Sequence, residues 1–174
     1  IQKPTRMKKF LSLAVMILLA GSVCTQAQTK AERKARKAET VKTRLENRDY
    51  TIEVLTVHPM GGRSIQVTPD FTLTVKGDSV RSVLPYFGRA YTVPYGGGNG
   101  LRFEAVTRDY RQEYNKKRKE TQITFSVRTD EDNFQFRLSV FGNGSSMISV
   151  QCNNREGISY NGRMATRERG AEKK

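Results

Sequence analysis

Histidine is almost missing from this chain: His58 is its sole example in 174 residues. One imidazole cannot build a multi-histidine metal site. No G-x-S-x-G motif occurs either, so a serine–histidine–acid triad has no nucleophile to start from. Cysteine is scarce, with Cys24 and Cys152 the only two. A Cys152–His58 pair is formally available, but nothing in the spacing supports it. No acidic pair stands out against Asp130-Glu131-Asp132, which reads most simply as a solvated loop without the oxygen-ligand spacing of a calcium site. The stretch Gly96-Gly97-Gly98-Asn99-Gly100 lacks the Lys-Ser/Thr of a phosphate cradle and leads into a strand pattern rather than a helix, so it reads as a loop. These absences leave no catalytic constellation. The expectation is a protein that is not an enzyme and carries no cofactor or metal.

Long hydrophobic runs are also few. The one that stands out is Phe10 to Ala20, apolar except for Ser12. Lys8 and Lys9 precede it, Gly21 breaks it, and Thr25-Gln26-Ala27 puts small residues at the −3 and −1 positions of a cleavage site. That order is the order of a bacterial secretory signal. Eleven residues at a helical rise of about 1.5 Å cover roughly 16 Å, about half of a ~30 Å hydrocarbon core, which argues against a transmembrane anchor. A lipoprotein signal would need a small residue before Cys24, where Val23 stands. Residues 1–6 precede the first methionine, Met7, and read as upstream translated sequence or a mis-set start. The expected organisation is residues 1–27 as upstream sequence plus signal, 28–49 as a basic helix or tether, 50–164 as a β domain and 165–174 as a disordered tail. Cleavage near Ala27 leaves Cys152 as the only thiol, so no intrachain disulfide can form in the exported protein. Cys152 stands at an alternating apolar position, which favours burial.

Acidic residues are outnumbered, 17 against 31 Lys and Arg, for a formal charge of +14. A basic chain invites a nucleic-acid reading. Export argues against it, and the excess is spread, at +4 over 28–49, +4 over 50–164 and +2 over 165–174. A solvated surface accounts for that distribution.

Residues 29–47 hold no Gly or Pro, and Ala31, Ala35, Ala38, Val41 and Leu45 form one stripe of a 3.6-residue period. Thr29 and Glu32 have capping-box spacing. The alanines bury little, so docking falls to Val41 and Leu45. From Tyr50 the period becomes two. Ile52, Val54 and Thr56 alternate with Thr51, Glu53 and Leu55, and Phe71, Leu73 and Val75 lead through Gly77-Asp78 into Val80 to Leu84, a hairpin. Ile123 to Val127, Phe134 to Val140 and Ile148 to Cys152 make a three-strand meander whose second turn, Gly142-Asn143-Gly144, accepts positive φ. Leu101 to Ala105 is a further strand. Residues 108–120 are too polar for a core and read as an edge strand with a basic turn, Lys116 to Lys119. Ile158-Ser159-Tyr160 is a last short strand. The result is a mainly β antiparallel domain of about seven to nine strands, barrel-like or a sandwich, with a short N-terminal helix.

The segment from Leu84 to Gly100, LPYFGRAYTVPYGGGNG, is the most unusual. It holds Tyr86, Phe87, Tyr91 and Tyr95, with Arg89 among them and two prolines to stiffen it. Tyrosines bury much area with few rotamers while offering a hydroxyl, so such a face stacks on sugars or grips peptide. The competing reading is that the rings plug one end of the β domain. Tyr86, Phe87, Arg89, Tyr91 and Tyr95 are the candidate ligand-binding residues.

The same run, LPYFGRAYTVPYGG, together with PMGGRSIQVTPDFTLTVKGDSV before it and GNGLRFEA and ISYNG after it, resembles the domain of unknown function 4251 family. The resemblance spans about residues 30–164. It implies a small exported β-rich protein of Gram-negative gut bacteria whose biochemical role is unassigned, and it supplies no catalytic residues. The expected function is a non-enzymatic binding or structural module of the periplasm or outer-membrane surface. Its partner would be an envelope glycan, a lipid head group, a peptide or another envelope protein, and not nucleic acid. The alternatives are an envelope hydrolase or a subunit of a protein complex.

Overall fold

The structure, a computed structural model, describes residues 29–89, 91 and 100–165. The expected signal segment, Tyr95, most of the glycine-rich stretch and the tail from residue 166 lie outside them. The chain divides into two compact units, residues 1–33 and 34–174. In the first, the described residues open a helix with reciprocal caps: the Glu32 N–H donates to Thr29 Oγ1 at 3.3 Å, and the Thr29 N–H donates to Glu32 Oε2 at 3.2 Å. Each satisfies a donor that the first helical turn leaves without a partner.

That helix, α1, runs Lys30–Glu46 and buries Val41 and Leu45, the two large apolar residues of its stripe. Burying such side chains contributes about 1.5–3 kcal/mol each. Ala38 lies against Gly142, and Val41 against Gly144, in the turn between the eighth and ninth strands. Arg44 donates to the Ala165 carbonyl at 2.7 Å, and the Ala165 N–H donates to Thr51 at 2.8 Å. The ordered chain therefore includes Ala165, which the sequence reading assigned to the tail.

Ten strands follow among the described residues: β1 Asp49–Pro59, β2 Ile65–Gln66, β3 Thr72–Lys76, β4 Ser79–Leu84, β5 Leu101–Val106, β6 Arg108–Asn115, β7 Glu120–Arg128, β8 Asn133–Phe141, β9 Ser145–Cys152 and β10 Ile158–Met164. Nine lie in one antiparallel sheet ordered β5-β4-β3-β1-β10-β9-β8-β7-β6, and β2 pairs with β1 off that path. The sheet is nearly closed into a barrel, which settles the choice against a sandwich. Its two edges are neighbours in sequence, with Thr107 alone between β5 and β6. The Thr107 N–H and hydroxyl both donate to the Asp78 carbonyl, at 2.7 and 3.1 Å.

Aromatic rings close the seam. Phe103 from β5 stacks on Phe134 at 5.0 Å, and Tyr110 from β6 stacks on Phe125 at 6.0 Å. Phe125 and Phe136 stack at 5.0 Å between them. Offset rings at such distances add to their burial. Residues 108–120 form the expected edge strand and basic turn, yet Tyr110 from that polar stretch joins the core.

The strand alternation breaks where the pairing bulges, in β1 and in β6. In β1 the register shifts between Val54 and Thr56, so Val57 is fully buried while Thr56 is half-buried. A bulge adds one residue and flips the phase beyond it, which overturns the inward placement of Thr56. Opposite the bulge stands Gly162, where a Cβ would collide with the Glu53 carbonyl oxygen. β10 continues past Tyr160 to Met164 and lies between β1 and β9. It is a central strand, longer than its apolar pattern suggests.

Candidate functional site

β4 ends at Leu84 because Pro85 has no N–H to give to the ladder. The Pro85 carbonyl accepts the hydroxyl of Tyr160, a fully buried ring, at 2.9 Å. The next side chain, Tyr86, is half-buried against the core. Its hydroxyl is 2.9 Å from both the Arg89 and Glu156 carbonyls, to either of which it can donate. Burial pushes the Tyr86 hydroxyl up to about 12. Gly88 is needed here, since a Cβ would meet the Tyr86 hydroxyl at 2.5 Å.

Beyond Gly88 the backbone lies alongside the loop between β9 and β10. The Glu156 N–H donates to Arg89 at 3.0 Å and the Tyr91 N–H donates to Asn154 at 2.8 Å. The Arg89 N–H donates to Glu156 Oε2 at 3.3 Å. The alternation that turns Tyr86 inward leaves Phe87, Arg89 and Tyr91 exposed, with Phe87 at 47% and Tyr91 at 71%. The segment is thus divided between burial and exposure. Tyr86 plugs the end of the barrel opposite α1, and Phe87, Arg89 and Tyr91 form an outward strip, with the Arg89 and Tyr91 N–H groups bonded to Glu156 and Asn154. Tyr95 is outside the described residues.

The loop beneath the strip rests on a buried ion pair. Asp132, whose side chain is fully buried, lies 3.8 Å from Arg155 Nε, and Arg155 is 4% exposed. The same carboxylate accepts backbone N–H groups from Asn133 at 2.7 Å, Asn153 at 3.1 Å and Asn154 at 3.2 Å. Arg155 also reaches Glu131 at 3.4 Å, and its guanidinium lies 5.4 Å from the centre of the Tyr86 ring. The solvated-loop reading of Asp130-Glu131-Asp132 therefore fails at Asp132. A buried carboxylate persists only when paired and hydrogen-bonded, and its partner stands 23 residues further along the chain.

Cys152 and His58 are not brought together. Cys152 is in register with Phe134 on the inward side, whereas His58 is in register with Ser159 and, across it, Ser149 in an outward row. Cys152 is half-buried rather than buried, and burial pushes its thiol up to about 11, with the Asp132 carboxylate adding to the shift. The His58 ring meets Ser64 Oγ at 2.7 Å through Nδ1. Among the described residues no three His, Cys, Asp or Glu side chains are grouped to hold a metal, and no helix is long and apolar enough to cross a membrane.

A family model for a domain of unknown function, DUF4251, matches residues 32–164. The chain belongs to the DUF4251 family. A crystal structure of a DUF4251 protein from Bacteroides eggerthii DSM 20697 superposes with a TM-score of 0.58 at 18% identity, covering 75% of this chain and 87% of that one. At that identity the likeness concerns the DUF4251 fold alone. A search of curated proteins finds no match.

Proposed function

We propose that this DUF4251 protein is exported to the cell envelope, where the rim of its barrel holds a glycan, a lipid head group or a peptide without catalysing a reaction. The observation that carries this reading is the exposed strip of Phe87, Arg89 and Tyr91. Two rings flank one guanidinium, and the backbone under them is already tied to residues 154–156. A ligand meeting a fixed face loses less affinity to ordering than one meeting a loose loop. The rings offer flat apolar area, and Arg89 offers paired donors to a carboxylate or phosphate. The export component rests on the sequence order from Met7 to Ala27.

The test is a thermal-shift screen of the purified protein against peptidoglycan fragments, lipopolysaccharide, neutral and acidic glycans and bile-type amphiphiles. A ligand that binds only the folded state at 100 times its Kd adds about 2.7 kcal/mol of stability. The expected result is a raised midpoint that is lost in Phe87→Ala and in Tyr91→Ala, each of which alone melts like the parent. A shift that survives both substitutions, or no shift with any ligand class, refutes the strip as a binding face. Mass spectrometry of the envelope fraction is expected to find the N-terminus just after Ala27, and an intact Met7 there refutes cleavage.

A further inference from the structure

A second surface, away from the strip, lies on the outward side of β6 to β9. Register sets Arg111 beside Thr124, Thr124 beside Arg137, and Arg137 beside Ser149. The next outward row sets Ser126 beside Gln135 and Gln135 beside Gln151. These two rows line a groove of about 270 Å³. A bulge in β6 builds its first row. Arg108 is opposite Ser126, so unbroken pairing would put Tyr110 opposite Thr124. The extra residue, with Asp109 at φ 53, puts Arg111 there instead, and Tyr110 turns into the core. Bulges re-aim side chains in this way, and aspartate tolerates the left-handed region better than most residues.

Among the described residues, the two arginines of this groove are not taken up by ion pairs, as some arginines of the protein are. Arg48, Arg118, Arg155 and Arg163 each meet a carboxylate, at 2.7, 3.8, 3.4 and 3.2 Å. Arg111 and Arg137 make no ion pair among the described residues, although Asp109 borders the same groove. They stand two strands apart, roughly 10 Å at the usual strand spacing, so a ligand seated over Thr124 lies between two guanidiniums. Gln135 and Gln151 each add a donor and an acceptor on the same face. Guanidinium groups match carboxylate or sulfate in two-pronged fashion, and side-by-side amides match neighbouring hydroxyls.

We propose that the outer groove of β6 to β9 binds an acidic carbohydrate, its carboxylate or sulfate held by Arg111 and Arg137 and its ring hydroxyls by Gln135 and Gln151. This site is independent of the aromatic strip and stands if the strip binds nothing.

Isothermal titration of the purified protein with an oligogalacturonide, a sulfated dextran oligosaccharide and neutral dextran tests it. At least one acidic sugar is expected to bind and neutral dextran to give no heat; the preference between the first two names the anion. The Arg111→Gln/Arg137→Gln double variant is expected to weaken binding at least ~10-fold, by loss of charged hydrogen bonds. Lys116→Gln/Lys117→Gln removes equal charge from the turn after β6 and is expected to weaken it less than ~2-fold. Gln135→Ala/Gln151→Ala leaves the charge alone and is expected to weaken it about fivefold. Four results overturn the proposal. Neither acidic sugar binds; the lysine pair matters as much as the arginine pair, leaving only non-specific attraction to a basic protein; the glutamine variant binds like the parent, leaving an anion site with no sugar recognition; or Tyr91→Ala abolishes the binding, moving it to the strip.

Discussion

Replacing Asp132 with asparagine keeps the size of the side chain and removes the charge beneath the rim. In the parent protein this carboxylate satisfies three backbone N–H groups and faces an arginine that is 4% exposed. An amide has one acceptor oxygen, and its NH2 would point donors at donors. Arg155 would keep Glu131, at 3.4 Å, but that carboxylate is 60% exposed and holds it weakly. Removing one partner of a buried pair costs about 3–5 kcal/mol, and the surviving Glu131 contact argues for the lower end. At roughly 2–4 °C per kcal/mol for a chain of this size, the melting midpoint falls by about 6–12 °C. Asp132→Asn/Arg155→Met removes both charges and is expected to recover part of that loss. A second readout is local. The Asp132 carboxylate helps hold the Cys152 thiol high, so its removal lowers the thiol, and iodoacetamide labels native Asp132→Asn faster than the parent at pH 8. A midpoint within about 1 °C of the parent, with unchanged labelling, refutes the ion pair as the support of the rim.

Three further outcomes follow from the packing. Leu45→Ala empties the main contact of α1 and is expected to cost about 2–4 kcal/mol in urea unfolding, whereas Ala31→Ser on the exposed stretch changes stability by less than about 0.5 kcal/mol. Gly162→Ala drives a methyl group into the Glu53 carbonyl and is expected to cost more than about 2 kcal/mol; a neutral result would mean the bulge relaxes freely. Alkaline pH destabilises: Cys152 moves from 9.0 to about 11 on folding and Tyr86 from 10.0 to about 12. Above about pH 9 the unfolded chain loses these protons first, so the stabilisation is full below that pH and is lost as pH rises toward about 12. Urea midpoints that stay level from about pH 8 to about pH 11 would contradict the burial of both groups.

Elements whose pattern is local were legible before the structure. The capping spacing of Thr29 and Glu32, the pair Val41 and Leu45, and the β7 to β9 meander all follow from periodicity within one segment. What failed depends on residues far apart. The length of β10 was hidden because Gly162 fills an inward position yet carries no apolar signal. The phase break in β1 needs knowledge of the strand across from it. Asp132 looked like part of an acidic turn because nothing beside it in sequence announces Arg155. The Arg111 and Arg137 pairing is a matter of register, and a sequence shows which residues alternate without showing which strands are neighbours. Within the aromatic segment, Tyr86 and Phe87 take opposite sides for a reason visible only once Glu156 and Asn154 lie alongside.

The position of β10 bears on how the protein comes to be made. β10 is the bridge between β1 and the β6 to β9 half of the sheet, pairing Ile52 with Met164, far apart in sequence. Until Ile158–Met164 has emerged, β1 to β5 and β6 to β9 are two separate half-sheets, each with an unpaired edge that invites wrong pairing. Closure must therefore wait for β10, and its pairing with β1, which joins residues far apart in sequence, forms slowly. A chain truncated before Ile158 has no route to the barrel at all. β10 thus acts as a keystone, since the two half-sheets that precede it in sequence pair with each other only through its two edges.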